Sequence, residues 1–215
     1  MNIKGYIIKG LLLALTVIPS DAHAQWFGSS SDRINTLRIA VDGKWERMPI
    51  INMESDETIE FSFDEMSHQY NRFTYRIQHC DAEWNPSNIL ESDFMDGFND
   101  QPIDNWENSL NTTFDYTHYR LTIPNNDVKL KISGNYRLSI RLDGQEVAYF
   151  RFCMSEEQHL LSAKVDGNTD IDTHESHQQV NLTVNYSALA VRDPAKELYT
   201  VVMQNGRTDN AVYNP

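Results

Sequence analysis

Apolar residues recur at every second position in one short run after another, and most runs stop at a turn-forming pair. Leu37, Ile39 and Val41 alternate with polar neighbours and end at Asp42-Gly43. Ile59, Phe61 and Phe63 repeat the pattern, as do Phe73, Tyr75 and Ile77, and Tyr119, Leu121 and Ile123 end at Pro124-Asn125. Tyr136, Leu138, Ile140 and Leu142 run into Asp143-Gly144, after which Val147, Tyr149 and Phe152 return. A period of two puts successive side chains on opposite faces of a strand. An Asp-Gly pair between two such runs is a strong hairpin signal, because Gly and Asp tolerate the positive φ of a type I′ turn. No long segment carries a 3.6-residue apolar period. The predicted class is all-β, an immunoglobulin-like sandwich.

The first 24 residues stand apart from this pattern. Lys4 and Lys9 precede the apolar run Leu11 to Ile18, and Ala22-His23-Ala24 fits a small-x-small cleavage site. This predicts a secretory signal peptide over 1–24, cleaved before Gln25. The run is shorter than the roughly 20 apolar residues that a membrane-spanning helix needs. No Cys follows the cleavage site, so a lipid anchor there is not expected. The Gly/Ser-rich stretch that follows, 25–33, reads as a flexible lead-in.

Removing Lys4, Lys9 and Asp21 changes 18 basic and 31 acidic residues to 16 and 30, a net charge of −14. Such a chain lacks the basic footprint of a nucleic-acid binder and is repelled by anionic lipid surfaces. The expectation is a soluble exported protein that inserts in no membrane.

A domain boundary is expected near Ser155-Glu156-Glu157, which makes 34–155 the sandwich and 156–215 the start of a second β domain. There Leu161, Ala163 and Val165 lead to Asp166-Gly167, Val180 to Tyr186 alternates, and Leu198 to Met203 is apolar. About seven strands build such a sandwich, and three or so fit here. The second domain is therefore expected to be truncated.

Between the strand regions lies a long run, His79 to Tyr136, crowded with aromatic, Asn, Asp and Gly residues. Disordered linkers are poor in aromatics, so side-chain contacts are expected to order it. His79-Cys80-Asp81 suggests a thiol nucleophile, but strand alternation turns His79 and Cys80 to opposite faces. A metal site from His79, Asp81, Glu83 and His118 has no recognised ligand spacing. His174 and His177 sit in a polar stretch that reads as solvated. Cys80 and Cys153 allow two readings, a disulfide that would stabilise the fold by roughly 4 kcal/mol, or two buried free thiols. Trp45, Trp84 and Trp106 could stack on sugars, although Trp in a β domain more commonly fills a core edge. No catalytic, metal or cofactor residue emerges, and the chain is expected not to be an enzyme.

The same run carries a signature: His79-Cys80-Asp81-x-x-Trp84-x-Pro86-Ser87, Asp96-Gly97-Phe98, Ser109-x-Asn111-Thr112, Tyr116-Thr117-His118-Tyr119, Pro124-Asn125 and Ser133-Gly134-Asn135-Tyr136. In order and spacing it resembles the first domain of the type IX secretion system plug family of Bacteroidota, over roughly Ile34 to Ser155. The resemblance implies a periplasmic protein, peripheral to the outer membrane, that binds the translocon barrel and closes its periplasmic end. It implies no chemistry. The signature residues mark the family, with a structural or an interface role open for each. The alternative reading is an exported carbohydrate-binding sandwich.

Overall fold

The computed structural model describes residues 26–156, 161–167, 179–187, 190–198, 200–203 and 212–213. The expected signal peptide, His174 and His177 lie outside the described residues.

In chain order the first strands are β1 (Phe27–Ser29), β2 (Ile34–Val41), β3 (Ile50–Asn52), β4 (Ile59–Glu65) and β5 (Thr74–Cys80). A single helical turn, α1 (Glu91–Phe94), leads to β6 (Met95–Gly97), β7 (Gln101–Pro102) and β8 (Asn105–Asn108). Then come β9 (Thr117–Ile123), β10 (Val128–Leu130), β11 (Gly134–Leu142) and β12 (Gln145–Ser155). One sheet has the order β2-β4-β9-β8, and the other β1-β12-β11-β5-β7, with β3 parallel to the end of β12. Naming β2, β4, β5, β8, β9, β11 and β12 as A to G gives A-B-E-D facing C-F-G. That is the arrangement of an immunoglobulin constant-type sandwich, so the expected class is observed.

The core lies between the two sheets and is strongly aromatic. Along β9 every second residue is buried, Thr117, Tyr119, Leu121 and Ile123. Phe61 reaches across from β4 to Phe150 and Phe152 of β12, with ring centroids 5.2 and 5.3 Å apart. Two tyrosines tie loops to this core through their hydroxyls. Tyr136 donates to the Ile132 carbonyl at 2.6 Å, which matches the tyrosine corner that precedes strand F in such sandwiches. The Tyr119 hydroxyl accepts from the Asn71 N–H at 2.9 Å and donates to the Asn71 carbonyl at 3.1 Å. It thereby anchors the crossover from β4 to β5.

The Asp143-Gly144 hairpin is as expected. Leu142 pairs with Gln145, and the two intervening residues have φ of 51° and 78°, the signs of a type I′ turn. Two expectations need correction. Tyr149 stands on the outer face, because the register shifts in β12 opposite Ile140 and Arg141. The inward residues are Ala148, Phe150, Phe152 and Met154. Phe27–Ser29, expected within a flexible lead-in, is an edge strand antiparallel to β12, with Phe27 opposite Phe150. Beyond residue 156, β13 (Leu161–Asp166) pairs with β14 (Gln179–Val184), a turn α2 (Pro194–Glu197) follows, and β15 (Val201–Val202) pairs with β16 (Val212–Tyr213).

Candidate functional site

The signature begins where β5 leaves its sheet, and its first residues close a tight loop. The Asp81 N–H donates to the Asn85 carbonyl at 2.9 Å, and Asp81 Oδ1 accepts from the N–H groups of Glu83 and Asn85 at 3.0 and 2.8 Å. Cys80 bridges Pro86, and the Ser87 N–H donates to the His79 carbonyl. Asp at the head of such a turn supplies the acceptor that the turning backbone needs. His79 lies edge-on to Tyr136 at 5.2 Å, with Nδ1 2.8 Å from Ser87 Oγ and Nε2 3.3 Å from the Ser133 carbonyl oxygen. Gly134 is opposite this ring with φ of 144°, and a Cβ there would sit 2.3 Å from His79 Nε2.

The loop folds Trp84 onto the outer face of the C-F-G sheet. The Arg151 guanidinium lies 5.1 Å from the Trp84 ring and 5.6 Å from the Tyr149 ring, while Arg137 covers Tyr149 at 4.7 Å. Trp26 meets Trp84 edge-on at 5.9 Å. Rings and guanidiniums alternate in this way because the ring quadrupole attracts a cation on its face. Arg137 also holds Glu146 through two hydrogen bonds of 2.7 and 2.6 Å. Sequence reasoning had no means of finding this row, since its members lie just before β1, on β11 and β12, and in the loop after β5.

Beside the row lie both cysteines. Asn135 pairs with Cys80 on one side and with Cys153 on the other. The two thiols are therefore two strand spacings apart, about 10 Å, beyond the roughly 7 Å limit for bridging Cα atoms. The disulfide reading is corrected: both cysteines are free. The Cys153 Sγ donates to Asn135 Oδ1 at 3.1 Å, and Asn135 Nδ2 donates to the Asp81 carbonyl at 2.9 Å. Burial pushes the Cys80 thiol up and the Cys153 thiol up to about 12. A thiol nucleophile needs the opposite shift.

The remaining signature residues are spread over both sheets. In Asp96-Gly97-Phe98, Asp96 pairs with Lys131 at 3.3 Å and Phe98 is exposed. Gly97 has φ of 113°, and a Cβ there would lie 1.9 Å from the Asp127 carbonyl oxygen, so only glycine lets β6 pair with β10. Pro124 follows a cis peptide bond, and Asn125 Oδ1 accepts from the N–H groups of Asp127 and Val128 at 2.9 and 2.8 Å. Tyr116 N–H donates to Ser109 Oγ at 3.1 Å. Asn111 and Thr112 are exposed in the β8–β9 loop. His118 sits on the other sheet from His79, with Nδ1 2.5 Å from Asp64 Oδ1. The structure therefore does not gather His79, Asp81, Glu83 and His118. Among the described residues no group of three or more His, Cys, Asp or Glu could hold a metal.

The family model for the type 9 secretion system plug protein first domain matches residues 34–156. The chain belongs to this family. It is also similar to a hypothetical protein from Parabacteroides merdae ATCC 43184 whose crystal structure is known at 2.30 Å. The identity is 37% and the TM-score 0.82, over 88% of this chain and 48% of that one. The plug-family chain thus spans about half the length of that relative. No curated protein matches it.

Within this plug-family domain the three candidate tryptophans form no common platform. Trp84 covers the outer C-F-G face. Trp45 is exposed beside a 470 Å³ cavity that Phe27, Leu37, Arg38 and Ile39 also line, on the β1/β2 side. Trp106 meets Tyr70 with tilted rings at 5.1 Å, on the edge strand β8 at the opposite side of the sheet. Among the described residues no helix is long and apolar enough to cross a membrane.

What the sequence did not reveal is an exposed apolar end. The register puts the end of β4, the start of β9 and the end of β8 side by side, at Glu65, Thr117 and Asn108. The loops that leave there, 66–73 and 109–116, expose Met66, Tyr70, Leu110 and Phe114. Buried beneath them, Glu65 is paired with Arg33.

Proposed function

We propose that this chain acts in the periplasm as a plug of the type 9 secretion system, closing the periplasmic end of the outer-membrane translocon by protein–protein contact and without catalysis. The observation that carries the reading is the family match over residues 34–156. The site geometry supports it. The polar clusters that resemble chemistry in the sequence are spent on turns and ring stacking, and both thiols are held in the unreactive protonated form. A rigid sandwich with aromatic-bearing loops is suited to fill an opening, where a few buried aromatic anchors dominate binding energy. Deleting the gene in its native host should admit a normally excluded large antibiotic or dye across the outer membrane. The leak should vanish when the translocon gene is deleted as well. Unchanged uptake in cells that retain the translocon would overturn the proposal.

A further inference from the structure

We infer that the β8–β9 hairpin tip, with Leu110 and Phe114 as its anchors, is the surface that docks into an apolar, basic-rimmed pocket of the translocon barrel. This rests on the plug reading and adds the contact face to it. Leu110 is 82% and Phe114 72% exposed. Single exposed apolar residues are ordinary on any protein, but these are not isolated. The 66–73 loop is tied to this hairpin: Thr117 Oγ1, at the start of β9, donates to the Ser67 carbonyl at 2.9 Å, and His68 approaches Asp115 of the tip at 3.9 Å. Met66, Tyr70 and Trp106 are exposed on the same end.

The tip is built before any partner arrives. The Ser109 N–H donates to the Tyr116 carbonyl at 2.9 Å, Thr112 Oγ1 donates to the Phe114 carbonyl at 2.8 Å, and Asn111 holds φ of 55°. A loop ordered in the free protein loses little further freedom on docking. Charge separates this end from the other exposed apolar side chains. From Asn108 to Phe114 no residue is charged, in a chain of net charge −13. Leu90 and Phe98, by contrast, lie among Glu91, Asp93, Asp96 and Asp100, whose desolvation would oppose burial. The acidic group at the edge of the tip, Asp115, calls for a basic rim on the partner. It also opposes an anionic lipid surface, and the polar side chains of Asn111 and Thr113 would find no partners in hydrocarbon.

The test is co-purification of the full-length gene product with outer-membrane proteins from native cells, comparing wild type, Leu110→Ser/Phe114→Ser, Thr113→Asp and Leu90→Ser. Thermal unfolding confirms that each variant folds, and Thr113→Asp leaves both anchors in place while putting a charge into the contact. The double variant should lose about 30-fold in recovered translocon, the loss of one hot-spot anchor or more. Thr113→Asp should also weaken recovery, and Leu90→Ser should match wild type. Recovery by the double variant equal to wild type would overturn the contact face while leaving the plug reading intact, as would an equal loss with Leu90→Ser. Failure of the wild type to recover any translocon would overturn the plug reading itself. Binding of the wild type to protein-free vesicles containing anionic lipid, lost in the double variant, would assign the tip to membrane and overturn the protein contact.

Discussion

Replacing Gly134 by Ala should destabilise the domain through two separable effects, of which His79 controls only one. The first is backbone conformation: with φ of 144°, a residue bearing a Cβ is held in a region nearly reserved for glycine, at about 1–3 kcal/mol. The second is steric. The new Cβ would lie 2.3 Å from His79 Nε2, more than 1 Å inside normal contact, and overpacking of this kind costs about 1–3 kcal/mol. Gly134→Ala alone should therefore lose about 2–6 kcal/mol. His79→Ala alone gives up the edge-on contact with Tyr136, about 0.5–1.5 kcal/mol, and the hydrogen bond with Ser87, about 1 kcal/mol. In the double variant the clash is gone, and only the backbone effect adds to the His79→Ala loss. The pair should be more stable than the sum of the single losses by about 1–3 kcal/mol, a coupling measurable by a double-mutant cycle. Urea unfolding of the full chain, followed by tryptophan fluorescence, supplies the four midpoints. Losses that add within about 0.5 kcal/mol would refute the placement of His79 against Gly134, and with it the account of why this loop has its shape.

Two further outcomes follow from the titrating groups. Burial raises the Cys153 thiol to about 12 and the Cys80 thiol in the same direction, so their contribution to stability is full below the ordinary thiol value of 9.0 and lost as pH rises through the folded values. Both should resist a thiol reagent at pH 8 until denaturant is added, and mass spectrometry of the oxidised protein should find no Cys80–Cys153 bridge. Burial alone would raise the Glu146 carboxyl, but hydrogen bonds from Arg137 and Ser139 outweigh it and hold the group below 4.5. Its stabilisation is present above the unfolded value and lost as pH falls, so Glu146→Gln should flatten part of the decline in the urea midpoint below about pH 5. An unchanged acid limb would show that the Arg137 pair is not formed in solution.

The strands that build the sandwich were legible because each is half-buried and long enough for its alternation to register, as along Tyr119, Leu121 and Ile123. The short edge strands were not. Phe27–Ser29 and Gln101–Pro102 owe their form to the neighbour they pair with, and two or three residues carry no period of their own. Tyr149 was misplaced for a different reason: one residue inserted in β12 reverses the parity of all that follow, and nothing local announces it. At the site, the opposite facing of His79 and Cys80 could be read from strand geometry, whereas the spacing of Cys80 from Cys153 depends on strand order. Leu110 and Phe114 escaped notice because a Leu and a Phe read as core until the fold shows that no core lies above them.

The signature and the proposed contact interleave, and this divides the labour between them. Ser109 and Thr112 fix the backbone on which Leu110 and Phe114 stand, just as Asp81 and Asn135 fix the loop that lays Trp84 on Arg151. Residues that bond their own backbone determine shape and give little to a partner, since their polar atoms are already satisfied. Side chains that make no such bond are free to bury against another surface. Each rotamer-rich side chain immobilised on docking costs about 0.5–1.5 kcal/mol, and a loop ordered only on binding costs more. A frame held by internal hydrogen bonds lets two apolar anchors act at close to their full burial energy. On this reasoning the signature that places the chain in its family describes the mounting of the contact, and the partner is read by the unremarked residues between.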